Sequence, residues 1–387
     1  MHRPLDGIRV IDMTSVVMGP FASQILADQG ADVIVVEDRR GDTNRAMGPG
    51  AHEELSGVSM NLMRNKRSVG LDVKLPAGRA ALGRLIATAD VFLTNLRPAS
   101  RARASITYQD LRRHRSDLIY CAAAGYPVDS DLADAPAYDD VIQSASGIPD
   151  LFERVELPPV LVPTLIADKT VGLVMAQAVT GALFERERTG EGQEIVLAMN
   201  EVMRSYLLVE HGAGGIPEPR LDRPGYPRIL TAERRPQRTA DGLIGVLPYD
   251  RHHYEAIFRW GGRDDLLGDP RIESRHSRIR HGDSLYREVA AILRQRTTAE
   301  WLPLLTEAGI PATAVGSIDH LVDELPMDEH PHAGRYRVTP PIVGGDAVID
   351  RPAPLHGEHG REVLAELGYS DAELDGLEAD GVLFEGL

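Results

Sequence analysis

The sequence of 387 residues predicts an α/β protein with a Rossmann-like parallel sheet in a large domain and a second, smaller α/β domain. Three observations lead to this fold class. Short, continuously apolar runs alternate with helical segments in the N-terminal half, which is typical of parallel strands covered on both faces. A stretch rich in Gly, Pro and Arg then interrupts the pattern, and strands and amphipathic helices resume after it. The length also exceeds that of one ordinary hydrophobic core.

The large domain repeats the order strand, helix, strand. Its predicted strands are GIRVIDMT (7–14), DVIVVE (32–37), SVGLDV (68–73), DVFLTNL (90–96), LIYCAAAG (118–125) and EIVLAM (194–199). Prolines open two of its helices, at Pro20 and Pro76, and Gly30 ends the first. The first turn, TSVVMGPF (14–21), lacks the G-x-G-x-x-G pattern of dinucleotide-binding folds. We therefore expect neither NAD nor FAD as a cofactor.

A long apolar helix is predicted in the middle of the chain. After Thr170 and up to Leu183 only Gln177 and Thr180 are polar, so the helix is expected to be buried on every face. The charged run 185–188 and then Gly190 mark its C-terminus. Asp168 stands at its start, where free backbone N–H groups and the helix dipole favour a carboxylate. This carboxylate is therefore either a helix cap or a catalytic group at the edge of an apolar core.

The domain boundaries follow from composition. We predict a large domain over residues 1–215 that is completed by the C-terminal tail 331–387, a linker over 216–225, and a small α/β domain over 226–330. The predicted elements of the small domain are a strand at 242–248, helices at 250–260 and 285–294, a capping-box helix from Thr297 and Glu300 to about 308, and the closing segment 310–318. The tail holds two helices, and Ser370 with Glu373 forms the capping box of the second.

Composition narrows the classes of partner and compartment. The chain has 42 basic and 58 acidic residues and a formal charge of −16, which argues against nucleic acid or an anionic membrane as the main partner. The single cysteine, Cys121, lies in an apolar strand and fits a reducing compartment. There is no secretory signal pattern and no apolar run long enough to span a bilayer, so we expect a cytoplasmic protein. The scattered histidines, including the pair His252–His253, form no convincing metal site.

Several separated segments together resemble one known family. They include PLDGIRVIDMT (4–14), NKRSVGLDVK (65–74), NLRP (95–98), YDDVIQSASG (138–147), the A-D-x-T-V-G start of the central helix, TGEGQ (189–193) and AEWLPLLTEAGIPATAV (299–315). Their order and spacing over nearly the whole chain resemble the class III CoA-transferases, the CaiB/BaiF family, which also includes α-methylacyl-CoA racemases. The chain departs from the family pattern at Ala99 and Ser105, where Gly is common, and in the loop 127–136. Those departures concern loops that contact substrate in the family.

The resemblance implies an enzyme that moves CoA between a thioester and a free carboxylic acid. An Asp at the position of Asp168 is then the nucleophile and carries the mixed anhydride and the CoA thioester in turn. Asp139 matches an acid that helps to position the site, although from the sequence it could equally be an exposed residue at a helix start. Tyr138 precedes it. The resemblance also implies a homodimer of two interlocked chains.

Coenzyme A brings phosphates, so cations and loop donors are expected near the ends of parallel strands. The positions carried over from the family are Val16, Arg39, Leu71, Lys74, Asn95 and Arg103. Four other basic residues could replace any of these cations: Arg40, Lys66, Arg67 and Arg97.

Two other functions share this fold and CoA site. The family's racemases pair the Asp at position 168 with a His directly before the Asp at position 139, and this chain has Tyr138 there. A Tyr with an ordinary pKa near 10 is a poorer base at neutral pH than a His near 6.5, so a 2-methylacyl-CoA racemase is the alternative rather than the main prediction. An inactive CoA-binding scaffold is the third possibility, and it is disfavoured because Asp168 and the cations are retained.

Overall fold

The computed structural model of the protein describes residues 3–345 and 348–386. Within them the strands are β1 (Arg9–Met13), β2 (Asp32–Glu37), β3 (Gly50–His52), β4 (Leu55–Ser56), β5 (Lys66–Leu71), β6 (Val91–Thr94), β7 (Ile119–Ala124), β8 (Glu194–Ala198), β9 (Gln237–Arg238), β10 (Leu243–Val246), β11 (Ala312–Ala314), β12 (Met327–His330), β13 (Gly334–Arg337) and β14 (Leu383–Phe384). The helices are α1 (Met18–Asp28), α2 (Gly57–Leu62), α3 (Pro76–Thr88), α4 (Pro98–Ala104), α5 (Tyr108–Leu111), α6 (Asp139–Ser146), α7 (Ile148–Glu153), α8 (Ile166–Thr189), α9 (Met199–His211), α10 (Arg251–Trp260), α11 (Pro270–Glu273), α12 (Arg275–Arg280), α13 (Gly282–Leu293), α14 (Thr298–Glu307), α15 (Ile318–Asp323), α16 (Gly360–Glu366) and α17 (Asp371–Ala379). Short 3-10 helices cover Thr43–Ala46, Ala213–Gly215 and Asp264–Leu266.

A seven-stranded sheet in the order β14-β5-β2-β1-β6-β7-β8 carries the large α/β part of the chain. All neighbouring pairs are parallel except β14 with β5. Successive strands run outward from β1 through β2 to β5, whereas β6, β7 and β8 run outward on the other side. The order in which successive strands are added to the sheet therefore reverses between β1 and β6, which are themselves parallel. Open α/β sheets bind ligands in the crevice at such a reversal. The predicted Rossmann-like parallel sheet is confirmed.

Helices cover the two faces of this sheet. One apolar cluster joins Ile34 and Val69 of the strands to α3, α5 and the C-terminal helices α16 and α17. Alternate strand residues such as Val10 and Cys121 are fully buried but belong to the opposite face, because side chains alternate along a strand. The helices α1 and α8 pack against each other and contact the strands there. The prediction that Cys121 is a buried strand residue is confirmed, and burial raises the pKa of its thiol to about 12.

The central helix α8 is less enclosed than the sequence predicted. Val171, Met175 and Val179 are fully buried, but Leu173 is 43% exposed and Phe184 is 66% exposed. The expectation of burial on every face is therefore wrong for the single chain. The physical reason is that α1 and the sheet cover one side of α8 and leave an apolar side uncovered. The predicted C-terminus is confirmed, since the helix ends at Thr189 and Gly190 adopts a left-handed conformation with φ 74°.

The chain forms two compact units. The first unit contains the residues up to Ser146, Val162–Ser205 and the residues from Leu325 onward, and the second contains Gly147–Leu161 and Tyr206–Glu324. The sequence placed 147–161 in the large domain, but Arg154 donates to the Pro224 carbonyl at 2.5 Å, which ties this segment to the second unit. The predicted domain boundaries at residues 215, 226 and 330 stay predictions.

The second unit has its own antiparallel sheet, β11-β10-β9, and its own apolar core. Trp301 of α14 is fully buried in this core and its indole N–H donates to the Leu293 carbonyl at 2.8 Å. The capping box of Thr297 and Glu300 is present at the start of α14, as predicted. Across the described ranges 3–345 and 348–386, none of the helices combines the length and the apolar character that crossing a membrane requires.

Candidate active site

Asp168 lies in the first turn of α8 and is 8% exposed. The helix begins at Ile166 after Leu165, so the interpretation of Asp168 as the helix cap is wrong. As the third helical residue, Asp168 offers one of the free N–H groups of the first turn rather than accepting from one. That N–H donates to the Asp139 carboxylate at 2.9 Å. The backbone of one acidic residue is thus held by the side chain of the other.

Asp139 opens α6 and is 3% exposed, so the alternative of an exposed helix-start residue is wrong. Its Oδ2 accepts from the Gln143 amide at 2.5 Å, and its Oδ1 accepts the Asp168 N–H. The Oε1 of Gln143 accepts from the Val162 N–H at 2.9 Å, which fixes the segment that leads into α8. Sequence reasoning missed Gln143, although its spacing of four residues from Asp139 on a helix was a usable signal.

The carboxylate of Asp168 differs from that of Asp139 in its surroundings. Within the described part of the chain, nothing donates a hydrogen bond to the Asp168 side chain. Burial first and the Asp139 charge second raise the pKa of Asp168 to about 7. A carboxylate without donors is poorly solvated, and this makes it both a stronger base and a stronger nucleophile. Raised carboxyl pKa values of this kind occur frequently at functional sites.

Tyr138 does not join the two carboxylates. Its side chain is 66% exposed, and its backbone carbonyl accepts from the Ile142 N–H at 3.0 Å inside α6. At the start of α6 the Asp139 side chain is buried, whereas the side chain of the preceding Tyr138 is exposed. The catalytic role predicted for Tyr138 stays a prediction.

The predicted CoA residues follow the carboxyl ends of four adjacent strands. Lys74 follows β5, Arg39 follows β2, Val16 follows β1 and Asn95 follows β6. These strands are parallel and neighbouring, so all four residues belong to one edge of the sheet. Arg103 lies at the end of α4, the helix that follows β6.

The turn after β1 is clamped from two sides. The Asn95 amide accepts from the Ser15 N–H at 3.0 Å and donates to the Ser15 carbonyl at 2.8 Å. Val16 has φ 71°, a left-handed conformation that is costly for a β-branched residue, and its N–H donates to Asp42 at 2.8 Å. Burial is the main cause that raises the pKa of Asp42 to about 6. The Asn95 side chain therefore shapes the loop beside the sheet reversal, a use that the sequence did not reveal.

The three predicted cations at this edge are exposed and lack acidic partners. Among the described residues, no carboxylate lies within 4 Å of Arg39, Lys74 or Arg103. The Arg39 guanidinium stacks over the Phe384 ring at 4.5 Å, and Arg103 contacts Ser100 Oγ at 3.1 Å. Leu71 differs from them, since its side chain is 1% exposed and belongs to the apolar core.

One group in the described residues could offer three atoms to a metal ion. Asp250, His252 and His253 have ligand atoms within 4.8 Å of one another. However, His253 Nδ1 already accepts from the Tyr249 N–H at 3.0 Å and from the Asp250 N–H at 3.4 Å at the start of α10. A metal would compete with this helix start for the same groups. The prediction that the enzyme uses no metal stays a prediction.

Comparison with known proteins identifies relatives over nearly the whole chain. The model of CoA-transferase family III matches residues 5–360. The succinate–glutarate CoA-transferase of Agrobacterium fabrum is 30% identical over 385 residues, which cover 94% of this chain and 96% of that protein. The probable fatty acyl-CoA transferase Rv3272 of Mycobacterium tuberculosis is 31% identical over 386 residues, which cover 94% of this chain and 98% of that protein.

Solved structures have the same fold. A CaiB/BaiF family protein from Brucella suis matches with a TM-score of 0.79 and 27% identity, covering 95% of this chain and 100% of that one. The orthorhombic form of Rv3272 matches with a TM-score of 0.77 and 29% identity, covering 93% of this chain and 98% of that one. The family match and both kinds of relative agree with the α/β fold and the sequence segments described above. The chain belongs to CoA-transferase family III, the CaiB/BaiF family.

Proposed function

We propose that this protein transfers CoA between an acyl-CoA thioester and a free carboxylic acid, with Asp168 as the nucleophile. The observation that carries the proposal is a carboxylate that is 8% exposed, accepts no hydrogen bond within the described residues and has its pKa raised to about 7. At neutral pH a useful fraction of such a group is ionised. No hydrogen bond to it has to be broken before it attacks the substrate.

The proposed reaction has four transfers that balance. The Asp168 carboxylate attacks the donor thioester carbonyl, forming an aspartyl mixed anhydride and releasing CoA thiolate. The thiolate attacks the Asp168 carbonyl, leaving an aspartyl-CoA thioester and releasing the donor acid as its carboxylate. The acceptor carboxylate attacks that thioester and forms a second anhydride while CoA leaves again. CoA finally attacks the acceptor carbonyl, which yields the new thioester and restores Asp168.

Each intermediate would be hydrolysed if water reached it. The apolar surroundings of α8 and the burial of Asp168 favour a dry site. Asp139 and Gln143 act as positioning residues in this proposal, because they hold the Asp168 backbone through the bonds at 2.9 Å and 2.5 Å. Asp139 also raises the pKa of Asp168, so it affects reactivity as well as position.

The exposed cations at the sheet edge support binding of the CoA phosphates there. Arg39, Lys74 and Arg103 have no carboxylate within 4 Å in the described chain, although Arg39 donates to the Gly381 carbonyl at 2.5 Å. The other candidates are paired with a carboxylate, buried or, like Arg39, bonded to a backbone carbonyl. Arg40 pairs with Asp38, buried Lys66 donates to the Pro20 carbonyl, Arg67 pairs with Asp32 and Glu366, and Arg97 donates to the Asp134 carbonyl. We therefore assign the phosphates to the first set, with the Ser15–Val16 turn beside them.

The substrates are proposed by class. Two of the relatives carry names for transfer among succinate, glutarate and their CoA esters, and another is named for fatty acyl-CoA. We propose that the acceptor is a short dicarboxylic acid. The donor is then the CoA thioester of a related dicarboxylic acid, such as succinyl-CoA. The loop 127–136 departs from the family pattern and is where the size of the acyl group would be set.

We also propose a homodimer, interlocked as the resemblance implies, and keep the cytoplasm as the expected location. Support for the dimer comes from apolar side chains left uncovered in the single chain, such as Leu173 and Phe184 of α8. The lone buried Cys121 fits a reducing compartment.

Mass spectrometry of new thioesters tests the function. The enzyme is incubated with acyl-CoA donors and free acids in all pairings, including dicarboxylic and fatty acids, in heavy water. We expect CoA to appear on a short dicarboxylic acid, with no enzyme-dependent deuterium next to the thioester of a 2-methylacyl-CoA. Deuterium uptake without acyl exchange would instead establish the racemase. If neither reaction occurred with any pair of substrates, the protein would be an inactive CoA-binding scaffold.

A further inference from the structure

The second unit contains a cavity of about 40 Å³ that the proposed reaction does not use. Three arginines and three tyrosines are among its lining residues: Arg228, Arg275, Arg278, Tyr249, Tyr254 and Tyr286. A bound water needs about 10–15 Å³ on this measure, so the cavity has room for a few waters or one small anion. Its lining is unusual for a structural cavity because it combines several cations with buried hydroxyl groups.

One of these hydroxyl groups lacks a partner. Tyr254 of α10 is 3% exposed, and in the described part of the chain its hydroxyl makes no hydrogen bond. Buried polar side chains are nearly always hydrogen-bonded to protein, water or ligand. Tyr254 lines the cavity, so its hydroxyl is open to a ligand in that space.

The cationic charge at the cavity is largely uncompensated. Within the described ranges, neither Arg228 nor Arg275 has a carboxylate within 4 Å, and Arg278 has Asp250 at 3.9 Å. The Arg228 guanidinium is positioned by stacking over the Tyr249 ring at 4.1 Å. Arg278 is positioned by donating to the Ile272 carbonyl at 2.7 Å. Within the described ranges Arg228 has no acidic partner and Arg278 has only Asp250 at 3.9 Å, and two oriented guanidinium groups with so little negative charge near them favour an oxyanion.

The tyrosines are suited to donate to such an anion. Burial is the main cause that raises the pKa of Tyr254 and of Tyr286, so both hydroxyls keep their protons at neutral pH. The charges of Arg278 and Arg228 act in the opposite direction on Tyr254, which means that their fields reach its hydroxyl. The nearby Asp283 is engaged, since Thr231 and the Glu233 N–H donate to it.

We propose that this cavity binds a small oxyanion, a carboxylate or a phosphate group, through Arg228, Arg278 and the Tyr254 hydroxyl. The residues that line the cavity all belong to the second unit, and anion binding there is tested without the reaction at Asp168. Charge-assisted hydrogen bonds from a guanidinium fork give the affinity, and the small volume restricts the ligand to a single anionic group.

Calorimetric titration of the full-length protein tests the proposal, with inorganic phosphate and acetate added separately in a chloride buffer. We expect saturable binding of at least one of them, and the better ligand identifies the source of the anion. Arg228→Gln should weaken that binding at least tenfold and Tyr254→Phe severalfold. Arg294→Gln, an exposed arginine of the same unit outside the cavity, should leave it unchanged.

The same titrations in Asp168→Asn protein keep the result independent of CoA transfer, since the cavity should bind its anion whether or not the enzyme reacts. Circular dichroism verifies that the variants fold. Absence of saturable binding of both anions, or an affinity that Arg228→Gln leaves unchanged, would overturn the proposal.

Discussion

Two buried carboxylates at the candidate active site have different hydrogen-bonding environments. Asp139 accepts from the Asp168 N–H and from Gln143, and these bonds fix its orientation. Asp168 accepts from nothing in the described chain and faces the Asp139 charge, which is why its pKa rises to about 7. One residue therefore has the surroundings of a positioning group and the other those of a nucleophile.

The first prediction concerns the pH dependence of transfer. Asp139→Asn removes the second-largest cause of the raised pKa of Asp168 and keeps an oxygen that can accept the Asp168 N–H. We expect the acidic limb of kcat/KM, which lies near pH 7 in the wild type, to move to lower pH. Asp140→Asn, at the neighbouring exposed position, should leave the limb in place. Measured pH profiles that do not move, or that move to higher pH, would contradict the assigned role of Asp139.

The second prediction concerns stability. The pKa of Asp168 is about 7 in the folded protein against an ordinary 3.8, so the folded state disfavours its charged form. Stability from this group is complete below pH 3.8 and is lost as the pH rises through 7. Asp168→Asn should therefore raise the free energy of unfolding most at pH 8, by at most about 4 kcal/mol at about 1.4 kcal/mol per pKa unit, and progressively less toward pH 4. Urea denaturation at both pH values measures this, and an equal effect at pH 4 and pH 8 would refute it.

At the residue scale, the sequence predicted the acids better than their partners. Asp168 stood out because a lone carboxylate preceded an apolar helix, and the resemblance then gave it a role. The bond from the Val16 N–H to Asp42 depends on how loops return to the sheet, and no local pattern encodes that return, so Asp42 could be recognised only from the structure. The bond from Gln143 to Asp139 joins positions four apart on α6, and that spacing was available in the sequence.

At the scale of elements, the close contact between α1 and α8 supports the site. A Cβ atom at Gly172 would lie 2.7 Å from the Met18 carbonyl oxygen and 3.0 Å from Phe21. Gly172, four residues after Asp168, thus allows the backbone of α8 to lie close to the backbone of α1. The absence of a side chain at Gly172 lets α8, the helix that carries the proposed nucleophile, pack closely against α1.

The third prediction is that Gly172→Ala destabilises the protein by about 1–3 kcal/mol, because backbone atoms of α1 must shift. Gly376→Ala in α17 is the control, since its Cβ would meet no atom within 4 Å among the described residues and it lies outside α8. Alanine there should be neutral or stabilising, as alanine favours helices over glycine. Thermal denaturation of both variants measures the difference, and equal effects would show that the α1–α8 contact is not tight.

Helices and strands were predicted well where their periodicity is strong, and their ends less well. The apolar runs predicted β1, β2, β5, β6 and β7, and Gly190 predicted the end of α8. The start of α8 was wrong because Ile166 and Ala167 continue the helix backward beyond Asp168. The N–H of Asp168 is bonded by the Asp139 carboxylate instead, so a tertiary partner replaces the local capping interaction that the sequence suggested.

At the scale of the whole molecule, composition alone predicted that α8 is buried on every side, and one apolar side is exposed. The sequence correctly indicated that this helix is apolar on all sides, but one chain does not cover all of them. The segment 147–161 was likewise assigned by its position in sequence, whereas its contacts lie with the second unit. Both differences arise because composition reports what must be buried and not which segment buries it.

The fourth prediction concerns oligomeric state. A homodimer that covers α8 should show twice the chain mass of 42.2 kDa by light scattering. Phe184→Asp places a charge on the uncovered side and should weaken the dimer, whereas Glu187→Gln on the same helix should not. A wild-type mass of one chain would exclude the proposed dimer.

The central claim is that Asp168 forms the covalent intermediates, and the most direct measurement is mass spectrometry of the protein after incubation with a donor acyl-CoA and no acceptor acid. We expect a CoA adduct on the peptide that contains Asp168, removal of that adduct by hydroxylamine with loss of activity, and no adduct in Asp168→Asn. An adduct that persists in Asp168→Asn, or that maps to another peptide, would contradict the claim.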